Sequence, residues 1–173
     1  MKIELKRLTE EYKDELIYIC NNIDRKYLSN RMPKPYKDSD ADWWLDYVGK
    51  NEGKDGLFRI IAVDGKLCGM ISIERREDIY TKEGSLGYCL LTDYWGKGIM
   101  TKATEEICKL AFNQLDIIKI MATTFKDNIG SRKVIEKNGF KLEGIREKSI
   151  YKDDIVYDEY LYGKLKDNNK AYL

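Results

Sequence analysis

The sequence predicts an α/β (α+β) fold: a mixed, mainly antiparallel sheet of about seven strands with helices on both faces. Three observations carry that reading. Segments with apolar residues at helical spacing and segments of strand type follow one another in the order β-α-α-β-β-β-α-β-α-β-β. Asp64-Gly65 separates two β-prone runs, the composition of a two-residue hairpin turn. Ile117 to Thr124 is nearly all apolar, the pattern of a strand covered on both faces.

The elements follow in order. Residues 2–8 alternate as a strand, with Ile3 and Leu5 on one side and Glu4 and Lys6 on the other. Thr9 is placed to cap a helix whose first residues, Glu10 and Glu11, suit the positive end of its dipole. Leu16, Ile19, Cys20 and Ile23 continue its apolar stripe. Residues 29–36 hold both prolines and form a loop. Ser39 with Asp42 reads as a capping box opening a second helix, anchored in the core by Trp43 and Trp44.

Leu57–Val63 and Lys66–Glu74 are the two strands of the hairpin, and residues 85–91 supply the next strand. A glycine loop leads into a helix from about Met100 to Asn113. The apolar strand 117–124 follows, then a short helix over 128–138 closed by Gly139 at its C′ position. Residues 140–148 and 155–165 form a closing hairpin. Residues 1–165 read as a single domain, with 166–173 a polar, frayed C-terminal tail.

Composition narrows the chemistry. Lysine plus arginine number 31 and aspartate plus glutamate 30, a formal charge of +1, which argues against nucleic acid or an anionic membrane as partner. The N-terminus has no apolar h-region and no run approaches a membrane span, so a cytoplasmic protein is expected. The four cysteines are scattered and read as small buried apolar residues, not as disulfides or metal ligands. The histidine count of zero removes Ser-His-Asp and Cys-His catalysis and histidine-based zinc sites. What chemistry remains must use carboxylates, hydroxyls, backbone amides or a cofactor with its own reactive group.

The loop Trp95-Gly96-Lys97-Gly98-Ile99-Met100-Thr101 is the candidate binding element. Two glycines one residue apart permit positive φ and close ligand approach, and free N–H groups at a helix N-terminus bind anions. Lys97 adds charge and Thr101 a hydroxyl, so phosphate or pyrophosphate suits the place. A Walker A loop is absent. The third glycine of a dinucleotide fingerprint is replaced by Thr101.

The run Gly87-Tyr88-Cys89-Leu90-Leu91 through Tyr94-Trp95-Gly96-Lys97-Gly98-Ile99-Met100-Thr101-Lys102-Ala103 resembles the acetyl-CoA pyrophosphate loop of the GNAT acetyltransferases. Asn128-Ile129-Gly130-Ser131 and Glu136-Lys137-Asn138-Gly139-Phe140 resemble the segment that follows it there, and the pattern is similar to the RimJ/RimL branch, which acetylates N-terminal amines of ribosomal proteins. Two departures stand out: Trp95 occupies the place of the usual Gln or Arg, and Met100 that of a small residue.

The resemblance implies acetyl-CoA as donor with no metal, and a primary amine as acceptor, on a peptide N-terminus or a small molecule. A homodimer is the assembly it suggests. Cofactor contacts fall to Leu90, Leu91, residues 95–101, Asn128 and Ser131. A backbone N–H at Leu90 or Leu91 stabilises the oxyanion, Asn128 holds the cofactor arm, and Ser131 protonates the departing thiolate. The place of the tyrosine acid of many relatives is Ile135. Position makes Glu74 the best carboxylate for the general base, with Glu83 weaker, and sets Tyr88 and Tyr151 in the acceptor cleft. Helix capping is the structural alternative for Asn128 and Ser131, but an N-cap needs only one of them, which favours the functional reading. A GNAT acting on a polyamine, amino acid or aminoglycoside, and a non-catalytic acyl-CoA-binding module, stay open as alternatives.

Overall fold

The computed structural model describes residues 1–167. Its strands are β1 (Ile3–Arg7), β2 (Gly56–Val63), β3 (Lys66–Arg75), β4 (Glu83–Leu90), β5 (Lys119–Phe125), β6 (Lys141–Lys152) and β7 (Ile155–Leu165). The helices are α1 (Lys13–Asn22), α2 (Asp38–Asn51), α3 (Ile99–Gln114) and α4 (Ile129–Lys137). One sheet runs β1-β2-β3-β4-β5-β7-β6, and every neighbouring pair is antiparallel except β4 and β5. The expected fold class and element order are those observed.

Two cores flank the sheet. On one face Ile99, Ala103, Ile107 and Phe112 of α3 pack on Leu57, Ile61, Ile71 and Ile73. On the other, Leu16, Ile19 and Cys20 of α1 and Ala41, Leu45 and Val48 of α2 pack on Phe58 and Ile60. Strand β2 lies between both layers, and all eight of its residues are buried. The strand covered on both faces is therefore β2, not β5, where Thr123 is exposed and Lys119 and Met121 are half-buried. Arg59 interrupts the apolar run of β2. Its guanidinium is tolerated there because Glu52 accepts from it at 2.8 Å, both side chains being nearly buried.

Local chemistry fixes most element boundaries. Asp64 and Gly65 take φ of 47° and 83°, the two positive values that a tight hairpin turn needs. Gly139 follows α4 at φ 79°. Two caps differ from expectation. Thr9 makes no side-chain cap bond and precedes a single 3-10 turn, Glu10–Tyr12, before α1 begins. In α2 the cap position is Lys37, whose N–H donates to the Asp40 carboxylate at 2.8 Å, so Ser39 already lies inside the helix.

Trp43 is 67% exposed, because the buried stripe of α2 runs through Ala41, Leu45 and Val48 and leaves that ring outside it. Of the expected frayed tail, 166–173, only Lys166 and Asp167 are among the described residues. The Lys166 N–H continues the sheet by donating to the Ile118 carbonyl at 2.8 Å, while 168–173 lie outside the described residues. No helix among the described residues is long and apolar enough to cross a membrane.

Candidate functional site

The site lies where β4 and β5 part. They pair only through Glu83–Lys119, Gly84–Ile120 and Ser85–Met121. Beyond that point β4 stays with β3 as far as Leu90, and β5 stays with β7 as far as Phe125. Their C-terminal ends are not hydrogen-bonded to each other, and the gap that this leaves between the strands is the candidate cleft.

The register with β3 decides which amides face it. The Leu91 N–H donates to the Cys68 carbonyl at 2.9 Å, and at the other end the Arg76 N–H donates to Glu83 at 2.8 Å. Odd-numbered residues of β4 thus turn their polar groups toward β3, and Tyr88 and Leu90 turn theirs toward the cleft. The Leu90 carbonyl there accepts the indole N–H of Trp95 at 2.8 Å. Of the two amides expected to serve an oxyanion, that of Leu91 is committed to the sheet. That of Leu90 faces the opening.

The glycine loop sits at the head of this cleft. Gly96 and Gly98 have φ of 73° and 75°, and a Cβ built on either meets no atom within 4 Å. Backbone handedness, not packing, demands glycine here, and the space in front of the loop is open. Gly98 is the N-cap of α3. It makes no side-chain cap bond, and the first turn holds no acidic residue. The Lys102 N–H makes the bond to the Gly98 carbonyl at 3.1 Å, so the amides of Ile99, Met100 and Thr101 before it remain for an anion. The Ile99 and Met100 side chains are buried, so Met100 anchors the helix and does not narrow the loop. Trp95 ties the loop to the end of β4 through its indole bond, a structural use of the position where the resemblance breaks. Lys97 lies with its ammonium 5.6 Å from the Tyr94 ring centroid. A pyrophosphate fits this set of donors.

The second motif divides its work. The Asn128 side-chain oxygen accepts the Ser131 N–H at 3.1 Å and caps α4, leaving its amide NH2 without a protein partner among the described residues. The Ser131 hydroxyl is not a cap; it lies 2.8 Å from the Tyr88 hydroxyl. Burial pushes the Tyr88 phenol up to about 12, with the Ser131 hydroxyl opposing. Ile135 is buried in the core and brings no acid to the cleft.

Glu74 sits on the opposite face of the sheet, beside α2. Its carboxylate accepts from the Tyr47 hydroxyl at 3.1 Å and from the Ser72 hydroxyl at 3.4 Å. Burial, and then the neighbouring Glu74 charge, push Tyr47 up to about 12. Opposite Ser72 on β4 stands Gly87, exposed and without a side chain, so the floor beside Glu74 is open. Tyr47 is the partner of Glu74 although no motif marks it; only the placement of α2 on the sheet brings it to a residue 27 positions away.

Glu83 is set apart, ion-paired to Arg76 at 2.5 Å and to Lys119 at 3.5 Å where β4 and β5 still pair. Tyr151 is 69% exposed and donates to Asp154 within its own hairpin, so the structure does not bring it to the cleft.

Against known proteins, the acetyltransferase (GNAT) domain family matches residues 2–141. YdaF of Bacillus subtilis (strain 168) is 31% identical over 125 residues, 72% of this chain and 66% of its own length. The ribosomal-protein-serine acetyltransferase of Escherichia coli (strain K12) is 29% identical over 172 residues, covering 96% of this chain and 94% of that one. Among solved structures, RimL, a ribosomal L7/L12 alpha-N-protein acetyltransferase in complex with coenzyme A, superposes with a TM-score of 0.83. It covers 95% of this chain and 94% of its own at 20% identity, a likeness of fold.

Proposed function

The chain belongs to the GNAT acetyltransferase family, and we propose that it moves an acetyl group from acetyl-CoA to a primary amine, the N-terminal amine of a peptide being the acceptor class we favour. One observation carries the reading. Two left-handed glycines open the N-terminus of α3 onto free space, at the head of a cleft where β4 leaves β5 with the Leu90 amide turned inward.

In this account the amides of the Gly98–Thr101 turn and the Lys97 charge take the pyrophosphate. The cofactor arm runs down the cleft against the Asn128 amide. The thioester carbonyl meets the Leu90 N–H, where charge develops on its oxygen. The amine approaches from the Glu74 face, with Glu74, held by Tyr47 and Ser72, taking its proton directly or through water. Ser131 stands on the side of the leaving sulfur. The protein mainly aligns a donor that already carries its activated group.

The peptide acceptor rests on the relative named for ribosomal-protein serine. Three acidic side chains of the closing hairpin that could draw a small cationic acceptor have partners of their own: Asp158 with Lys126 at 3.1 Å, Asp154 with Tyr151 at 2.7 Å, and Glu159 with Arg146. The deciding experiment is CoA release from acetyl-CoA with a panel of N-terminal peptides, polyamines, amino acids and aminoglycosides. Peptides should give the highest kcat/KM. A polyamine or aminoglycoside turned over faster would move the acceptor to the small-amine class.

A further inference from the structure

We infer that Tyr88 is the group behind Ser131, a positioning and proton-supplying residue on β4 that acts through the serine on α4 when the sulfur leaves. The inference rests on the acetyl-transfer reading above and adds a residue to it.

The geometry is direct. The Tyr88 hydroxyl lies 2.8 Å from Ser131 Oγ and 3.4 Å from the Ser131 carbonyl oxygen. Tyr88 stands beyond Ser85–Met121, the last β4–β5 pair, and Ser131 belongs to the helix that follows β5. Their bond therefore spans the cleft from one lip to the other. The Asn128 cap fixes the serine backbone, and Leu86 and Leu90 beside Tyr88 on its strand are buried in the same core against which Tyr88 packs.

Chemistry asks for such a partner. An alkyl hydroxyl is a weaker acid than a thiol, whose ordinary pKa is about 8.5, so a lone serine gives up its proton to a thiolate only uphill. A phenol is a far stronger acid than an alkyl hydroxyl and stays so where burial lifts Tyr88 to about 12, which makes it the better reservoir. In the burial around Tyr88 it is fully protonated at neutral pH, the state a donor needs.

The amine nitrogen forms its bond to the carbonyl carbon, and the carbon–sulfur bond breaks with its electron pair on sulfur. Ser131 Oγ–H gives its proton to sulfur while the Tyr88 O–H proton moves to Ser131 Oγ. The phenolate is then reprotonated from solvent, to which Glu74 releases the proton it took from the amine. One proton leaves nitrogen and one arrives at sulfur, with no redox change.

Tyr88→Phe keeps the ring and its packing and removes only the hydroxyl. Turnover should fall about tenfold or more, and the Tyr88→Phe/Ser131→Ala double variant should be no slower than Ser131→Ala alone, because the two act as one unit. A second readout needs no turnover. The wild type should bind CoA about tenfold more tightly than desulfo-CoA through the hydroxyl–sulfur bond, and both single variants should lose that preference. Wild-type turnover and an intact CoA preference in Tyr88→Phe, with both lost in Ser131→Ala, would overturn the role of Tyr88 alone. Failure of the wild type to bind either CoA or desulfo-CoA would instead remove the acetyl-CoA reading, and the inference with it.

Discussion

Gly98→Ala separates the two reasons a glycine can stand at the head of α3. At φ 75° and ψ 1° the residue is left-handed, and a Cβ there costs about 1–2 kcal/mol. No clash adds to this, since that Cβ meets nothing within 4 Å. For a domain of this size the strain corresponds to a fall of about 2–8 °C in Tm. Gly53, in the turn between α2 and β2, has φ 77° and equally open surroundings, so Gly53→Ala should lose the same amount. The two part company in binding. At Gly98 the new methyl stands in the open space before the first-turn amides, and losing one charge-assisted hydrogen bond to phosphate, about 1.5–3 kcal/mol, weakens acetyl-CoA roughly 10- to 100-fold. At Gly53 affinity should not change. Thermal unfolding of both variants gives the strain. A tryptophan-fluorescence titration, with Trp95 standing in the loop, gives the affinity. Gly98→Ala destabilised like Gly53→Ala yet binding acetyl-CoA as tightly as wild type would refute the cradle.

Other perturbations follow from the same geometry. Glu74→Gln should lower kcat/KM for the amine about 100-fold while leaving the acetyl-CoA Kd unchanged; a variant with full activity takes Glu74 out of the proton path. Glu52→Ala leaves the nearly buried Arg59 unpaired and the Phe58 N–H without its 2.9 Å acceptor, and urea unfolding should show a loss of about 3–5 kcal/mol. A loss under about 1 kcal/mol would mean that Arg59 reaches water. Burial pushes the Cys20 and Cys108 thiols up to about 12 and those of Cys68 and Cys89 to about 11, so at pH 8 all four are protonated. Native protein should react only slowly with a thiol reagent and yield four thiols once unfolded. Cys89 is half-buried, unlike the other three, so a fast native reaction at Cys20, Cys68 or Cys108 is the result that contradicts their packing.

Elements were legible wherever a local pattern determines them. The Asp64-Gly65 turn, the amphipathic stripe of α3 and the glycine loop each depend on residues within one turn or one strand. The apolar run 117–124 misleads about coverage because sheet position, not hydrophobicity alone, sets it. Strand β2 is the doubly buried one, and Arg59 disguises it. Trp43 misleads by its size; the helical phase of Ala41, Leu45 and Val48 would have placed it outside.

The site was legible in its motifs and not in its pairings. Leu90 and Leu91 are adjacent and alike, and only the strand register assigns one amide to the sheet and the other to the cleft. Tyr88 with Ser131 and Tyr47 with Glu74 are 43 and 27 residues apart, distances that periodicity cannot bridge. The parting of β4 from β5, which makes the cleft, leaves no local mark at all.

The measurement closest to the central claim is a calorimetric titration of the intact protein with acetyl-CoA. Saturable binding at one site per chain, competed by CoA and removed by Gly98→Glu, is the predicted result. Absence of binding by the wild-type protein would contradict the account of the cleft as a donor site.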